Sequence, residues 1–476
     1  MPNNLAFPSN ANPKTRAVIN GLNDINFNSS YLSSFFPNTT DLNIQHWGLT
    51  RNPFYEDEKL GNTLRNLFKS NPEIHDSKLN TVLIYSTFNH YVDGFKYFKN
   101  FIKSILNNDF KIAAHLLYYA EFRWLNCLLG SQGIFGVDGN TYLYSTSNGM
   151  KKFDLQNAGS HEAMWLLFKH WCDTNEADNL FKNSFEVHGI SITDWMSSAN
   201  LITSSSSPKI LSDLIYNLTS NDKLNFLADR DFRNKASYDG LNKPSSFNDL
   251  DLKFSFDFLI NHYNGLLSLD SDNDFFEILD LEILKILFTR KTNQANGTRN
   301  IKKAKRKQIN RIYKSIQNAC LSLNKTVLFG HELTDSIIKD NIFESLLLQG
   351  PEQSDNEALL KIFYRSLLLM KLASSSIKIM LSDANLNTEY LKPWFLYKLK
   401  HSYWLKNLEN IQEFNLEEIS YNSRLDYFTS YSDYEIDFAS MATNDSISDL
   451  WDIDDSKNLD ILRLSDIDIA SVWSLA

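Results

Sequence analysis

The sequence is poor in the two residue types that make frequent turns, with 16 glycines and 10 prolines among 476 residues. An all-β sandwich or barrel needs many turns, so this scarcity argues against both architectures. No run of eighteen apolar residues occurs, which predicts that no segment spans a membrane. The first residues also lack the charged start and apolar stretch of a signal peptide, so we expect a cytoplasmic protein.

Cysteine is equally scarce, and its pattern argues against two kinds of site. The chain has three cysteines, Cys127, Cys172 and Cys320, which lie far apart and form no CxxC pair. An odd number of widely spaced cysteines fits neither a disulfide framework nor a zinc site. We therefore expect three buried thiols in a reducing compartment, and we expect no metal and no other cofactor.

The common catalytic signatures are missing as well. The sequence contains no GxxxxGK[ST] phosphate loop, no HExxH motif and no GxSxG elbow. The nearest approach to the carboxylates and lysine of a metal-dependent nuclease is Asp280, Glu282 and Lys285. The DLEILK segment that carries them has helical rather than strand spacing. A metal-dependent nuclease is therefore not expected.

Helical periodicity is the main feature that the sequence does contain. Apolar residues make up 43% of the chain, which is enough for sizeable cores. We predict a mainly α protein with an irregular N-terminal region, a helical bundle, a second helical domain and an acidic aromatic tail. The boundaries of these regions are 1–78, 79–245, 246–425 and 426–476. Long helices of the second half are expected over 257–291, 301–325, 331–349, 355–383 and 388–412.

Local signals place the elements of the predicted bundle. The segment FKIAAHLLYYAEFRWLNCLLGSQG has apolar residues along one helical face and stop signals at Gly130 and Gly133. The segment after it predicts a β-hairpin that turns at Asp138 and Gly139. Ser160 is expected to cap the next helix, HEAMWLLFKHWCD, whose apolar residues form a second buried stripe.

Three helices in a fixed order carry a resemblance to a known family. The first contains YYAEFR (118–123), the second opens with SHEA (160–163), and the third closes with RNKASY (233–238). This order resembles HEPN domains, and among them the YaaC-like ones, over roughly residues 80–245. The resemblance implies a HEPN-like helical bundle. It also implies a setting among bacterial toxins, antiphage systems or nucleotidyltransferase partners.

The resemblance further implies roles for the end of the third helix. HEPN ribonucleases carry an Arg-x4-6-His motif, so Arg233 would contact the scissile phosphate and Asn234 would orient it, beside residues 118–123. The position of the histidine is held here by Tyr238, within side-chain reach of Arg233. Attack by an RNA 2′-hydroxyl needs a proton acceptor that is partly deprotonated near neutral pH. Ionising an ordinary tyrosine at pH 7 costs about three pK units, roughly 4 kcal/mol, so Tyr238 is a poor base.

Three interpretations of this motif stay open. In the first, Arg233 pairs with a carboxylate such as Asp231 or Glu121, and Tyr238 packs against the bundle. In the second, the motif contacts or cleaves RNA, and His161 takes the place of the missing histidine if the fold brings it near. In the third, the motif binds some other ligand.

A basic segment is the second candidate site. Residues 290–325 contain eleven Lys or Arg and no Asp or Glu. Helical spacing from residue 301 onward puts isoleucines on an inner side and the charges on the outer faces. Such a helix can follow phosphates and release counterions, although charge runs are often only solvated faces. The candidate nucleic-acid-binding residues are Lys302, Lys303, Lys305, Arg306, Lys307 and Arg311.

The tail has the opposite charge. Residues 430–476 contain eleven Asp or Glu against two basic residues. The acids alternate with large apolar residues, a pattern typical of a segment that docks on a partner or on its own basic surface. We expect Trp451, Ile461 and Trp473 to be buried. We also expect truncation after Thr443 to leave the core intact and to raise non-specific nucleic-acid affinity.

Two functions of different class follow from these features. The first is an interaction or scaffold subunit of a bacterial antiphage defence-type module, which contacts nucleic acid or a partner protein. The alternative is a metal-independent HEPN-type endoribonuclease that acts as a dimer. We expect a protein partner or a homodimer, RNA or DNA as candidate ligands, and no membrane.

Overall fold

The computed structural model describes residues 5–9, 11–25, 35–36, 60–106, 109–137, 141–155, 159–187, 189–201, 233–234, 277–293, 301–323, 355–399, 411, 413–419, 422 and 470–475. This part of the chain is mainly helical, with twelve α-helices, one 3-10 helix and six short strands. The mainly α class is therefore confirmed. No helix in these ranges has both the length and the apolar character needed to cross a membrane.

The N-terminal region contains two helices in its described part. Helix α1 (Pro13–Asp24) begins after Asn12, whose side chain accepts a hydrogen bond from the Thr15 amide. The proline occupies the first turn, where its missing N–H is not needed. Helix α2 (Leu60–Ser70) follows. The prediction of an irregular region over 1–78 missed both helices because the Asn-Pro pair that indicated a turn is here a helix start.

Two long antiparallel helices, α3 (Ser77–Leu106) and α4 (Phe110–Ser131), pack along each other. Two glycines allow the close approach. A Cβ on Gly94 of α3 would collide with the indole of Trp124, and a Cβ on Gly130 of α4 would collide with a threonine of α3. Helix α4 matches the helix predicted from its apolar spacing, and its end lies at the predicted stop signals.

Four short strands form one antiparallel sheet, in the order β1-β4-β3-β2. The strands are β1 (Glu73–Ile74), β2 (Ile134–Gly136), β3 (Tyr142–Ser145) and β4 (Met150–Lys152). Phe135 lies opposite Leu143, so the predicted β-hairpin is confirmed, while its expected turn at 138–139 lies outside the described residues. Helix α1 is tied to this sheet by an ion pair of 2.7 Å between Lys151 and Asp24.

A group of short elements follows the sheet. They are α5 (Ser160–Trp171), α6 (Asn175–Ser184), β5 (Glu186–Val187), β6 (Ile190–Ser191) and α7 (Ile192–Ser198). The aromatic stripe of α5 is buried, as predicted. Ser160 is the first helical residue rather than the cap. Gly159 holds the cap position and makes no side-chain hydrogen bond there, since it has no side chain to make one.

The C-terminal half adds helices to the same core. They are α8 (Glu277–Asn293), α9 (Ile301–Ser322), α10 (Asp355–Asp383), a 3-10 helix (Thr388–Leu391), α11 (Lys392–Lys398) and α12 (Ala470–Trp473). Helix α10 agrees with the helix predicted over 355–383 and packs along α4. The helix predicted over 331–349 lies outside the described residues. Buried residues on both sides of the boundary predicted at 245 belong to one hydrophobic core.

The last residues of the chain are part of this core. Val472 and Leu475 are buried. The hydroxyl of Tyr91, on α3, donates to the carbonyl oxygen of Ser471 at 2.9 Å and is also hydrogen-bonded to Oγ of Ser474. The C-terminal turn is therefore held by both apolar burial and buried hydrogen bonds.

This arrangement changes what we expect of the tail. Docking on the chain itself is observed for residues 470–475. Trp451 and Ile461 lie outside the described residues, as does the side chain of Trp473. Truncation after Thr443 would remove buried residues, so we now expect it to destabilise the core rather than leave it intact.

We expect Tyr91→Phe to lower the free energy of unfolding by about 1 to 3 kcal/mol, since it removes a buried hydroxyl that is hydrogen-bonded to the serines of the C-terminal turn. Urea denaturation of the wild type and the variant measures this change. A double-mutant cycle with Ser474→Ala isolates the pair. If the two hydroxyls interact, the double variant should lose less stability than the sum of the losses in the two single variants. Additive losses would contradict a direct contact.

Candidate functional site

Arg233 lies against the aromatic residues of α4. Its side chain is only 8% exposed. The guanidinium carbon is 5.3 Å from the ring centroid of Tyr118 and 5.7 Å from that of Tyr119. Both distances are within the range of cation–π attraction. Asn234 is half-buried in the same turn, and Tyr238 lies outside the described residues.

The charge of Arg233 is not neutralised by a carboxylate of the described residues. Glu121, one of the two partners proposed from the sequence, instead pairs with Arg365 of α10, with Oε1 of the glutamate 2.8 Å from Nε of the arginine. Asp231 lies outside the described residues. Within those residues Nε of Arg233 is buried and has no hydrogen-bond partner. A buried guanidinium without a carboxylate favours the binding of an anion.

His161 belongs to the same group of side chains. It lies in the first turn of α5, and its Nδ1 is 2.9 Å from the hydroxyl oxygen of Tyr118. Its ring centroid is 4.2 Å from that of Phe122 and 6.1 Å from that of Tyr119. The fold therefore brings His161 to the aromatic rings on which Arg233 rests.

A second histidine lies on the other side of Tyr119. His115 precedes Tyr119 by one turn of α4, and the ring centroids are 4.8 Å apart. Burial lowers the pKa of His115 below its ordinary value, and the positive charge of Arg233 lowers it further. A histidine with a lowered pKa is mostly neutral at pH 7 and can accept a proton. His115 was not among the candidate residues of the sequence, although its spacing of four from Tyr119 indicated a shared helical face.

These five residues, Arg233, Tyr118, Tyr119, His115 and His161, are called the Arg233 cluster below. It combines a guanidinium, whose positive charge can hold an anion, with two imidazoles that can transfer protons. Within the described ranges no three His, Cys, Asp or Glu side chains are grouped to hold a metal ion, and the three cysteines are buried. The chemistry that these groups offer is therefore acid–base catalysis at a bound anion.

The basic segment is described only in part, over residues 290–293 and 301–323. Helix α9 covers all six candidate residues, as the spacing predicted, and Ile316 is on its buried side. The side chains of Lys302, Lys303, Lys305, Arg306, Lys307 and Arg311 lie outside the described residues.

Comparison of the chain with protein-family models, with curated proteins and with solved structures finds no match. The function is therefore argued from the Arg233 cluster.

Proposed function

We propose that this chain is a metal-independent endoribonuclease and that the Arg233 cluster is its active site. The observation that carries the proposal is the position of two histidines beside a buried arginine that no described carboxylate neutralises. The guanidinium supplies the charge that holds a phosphate. The histidines supply the general acid and the general base, because a tyrosine at position 238 is a poor base.

The reaction needs no group beyond these residues. His115, neutral because of its lowered pKa, takes the proton of the RNA 2′-hydroxyl. The 2′-oxygen then forms a bond to phosphorus, the bond between phosphorus and the 5′-oxygen breaks, and His161 gives its proton to that leaving oxygen. The products are a 2′,3′-cyclic phosphate and a 5′-hydroxyl. Arg233 stabilises the negative charge that builds up on the phosphate oxygens.

Tyr118 has a supporting role in this scheme. Its hydroxyl oxygen can accept a hydrogen bond from Nδ1 of His161 at 2.9 Å. A hydrogen bond of this kind stabilises the protonated ring and leaves Nε2 to deliver the proton. The base and the acid are thus distinguished by their surroundings, since His115 is next to a positive charge and His161 is next to a hydroxyl.

Cleavage of a labelled single-stranded RNA in excess EDTA tests the proposal. We expect cyclic phosphate ends in the wild type and a rate lowered about 100- to 1,000-fold in Arg233→Ala, the usual effect of removing one charge-stabilising donor. Arg16→Ala, at an exposed position of α1, is the matched control and should cleave normally. A thermal melt of each variant shows whether the fold is kept. Full activity of a folded Arg233→Ala, or no cleavage by the wild type, would overturn the proposal.

The interaction subunit expected from the sequence remains the second candidate. It is favoured by α9, a 22-residue helix that lies within an acid-free basic segment. RNA or DNA binding without cleavage, lost when Lys302, Lys303, Arg306 and Lys307 are replaced, would support it. The setting in bacterial defence rests on the HEPN resemblance alone.

A further inference from the structure

We infer that a strip of aromatic and cationic side chains next to the Arg233 cluster binds the bases of single-stranded RNA. The strip consists of Arg123, Tyr97, Tyr119 and His115. This inference rests on the proposed function, because it names the form of RNA that reaches the site. It is carried by stacking geometry and by charge.

The strip is built from one face of α4 and one residue of α3. His115, Tyr119 and Arg123 are four residues apart and therefore follow one another along the helix. Eight residues at a rise of about 1.5 Å give the strip a length of about 12 Å. Tyr97 of α3 stacks on Tyr119, with ring centroids 5.5 Å apart and planes 24° apart. Arg123 lies over the other end, 5.8 Å from the Tyr97 centroid.

These rings differ from the aromatic residues of the core. Trp124 and Tyr91, on the same two helices, are at most 1% exposed. Tyr97, Tyr119 and Arg123 are half-buried and reach the surface. Ile112, one turn before His115 on α4, is 51% exposed and extends the apolar surface. The strip is therefore accessible to a ligand along its length.

The charge of the strip is positive. Nη1 of Arg123 donates to Nδ1 of His90 at 2.9 Å. Burial, together with the nearby Arg123 guanidinium, lowers the pKa of His90 to about 3, so its ring is neutral at pH 7 and can accept this hydrogen bond. In the described part of the chain no carboxylate lies within salt-bridge distance of Arg123 or Arg233. Two arginines thus stand at the two ends of a stacked pair of tyrosines.

Single-stranded RNA has the chemistry that fits this surface. Its unpaired bases stack on aromatic rings and on guanidinium planes, while its phosphates need positive charge. A duplex keeps its bases stacked on each other and offers them less readily. A length of about 12 Å matches about three stacked bases at 3.4 Å each. Bases held on the strip would place the next phosphate at Arg233.

Binding and cleavage by Tyr97→Leu and Arg123→Ala test the inference, since neither residue belongs to the Arg233 cluster. The probe for binding is a fluorescent single-stranded RNA of eight nucleotides with 2′-O-methyl groups, which cannot be cleaved. We expect Tyr97→Leu to weaken its binding by roughly 5- to 150-fold, the factor for one base–aromatic stacking contact. Phe7→Leu, at an exposed aromatic residue remote in sequence from the strip, is the control and should bind normally.

The two proposals fail in different ways. If the wild type cleaves RNA in EDTA and Tyr97→Leu binds the probe as tightly as the wild type, the proposed role of the strip is wrong and the proposed nuclease activity still holds. Binding that depends on Tyr97 without any cleavage overturns the nuclease and supports the strip. Equal affinity of the wild type for the single strand and for the matching duplex also overturns the strip.

Discussion

Replacing His161 with alanine is expected to lower the rate of RNA cleavage about 100- to 10,000-fold, the usual effect of removing a general acid. Without its imidazole the 5′-oxygen must leave as an alkoxide, because the proposed donor of its proton is gone. The loss should appear in kcat, since the phosphate is still held by Arg233. Single-turnover rates at saturating protein measure it.

The pH dependence tests the role of His115. Wild-type cleavage should rise with pH as His115 loses its proton, and this rise should lie below pH 6.5 because burial and Arg233 lower the pKa of His115 from its ordinary value of 6.5. In His161→Ala the rise should stay, since His115 is unchanged.

His170→Ala is the matched control, since His170 lies on the same helix, α5, near its other end. Its cleavage rate and pH profile should equal those of the wild type. A folded His161→Ala that keeps the wild-type rate would show that another group gives the proton.

The helices of this protein were predictable where the apolar residues are regularly spaced. The helix expected over 355–383 agrees with α10, and most of the apolar face expected on α4 is buried, although Ile112 is 51% exposed. Both segments are long, and their buried faces are continuous. The ends were less certain, because Ser160 has the chemistry of a cap but Gly159 holds that position.

The candidate site was only half predictable. Arg233 and His161 were both selected, but their approach depends on contacts between segments far apart in sequence. Arg233 does not pair with Glu121 among the described residues, because the carboxylate of Glu121 meets Arg365, which is 244 residues away. A partner at such a distance cannot be read from helical spacing. The five residues of the Arg233 cluster come from three segments for the same reason.

Loss of the Glu121 carboxylate is expected to have the largest effect on stability. Glu121 and Arg365 are 0% and 3% exposed, so Glu121→Ala leaves a charged guanidinium in the core. Breaking a buried ion pair from one side costs about 3 to 5 kcal/mol. The midpoint of urea unfolding should fall accordingly. Glu162→Ala removes the same side chain from an exposed pair with Lys14, and it should cost less than about 1 kcal/mol.

The pair joins α4 to α10. His115, Tyr119 and Arg123 follow one another along the same helix at half-buried positions. The double variant Glu121→Leu with Arg365→Met replaces both charges by apolar groups of similar size. It should recover most of the lost stability, since such replacements are often neutral. If it stays as unstable as Glu121→Ala, the loss does not come from an unpaired buried charge. If it is stable but no longer cleaves RNA, the ion pair itself is needed to present the strip.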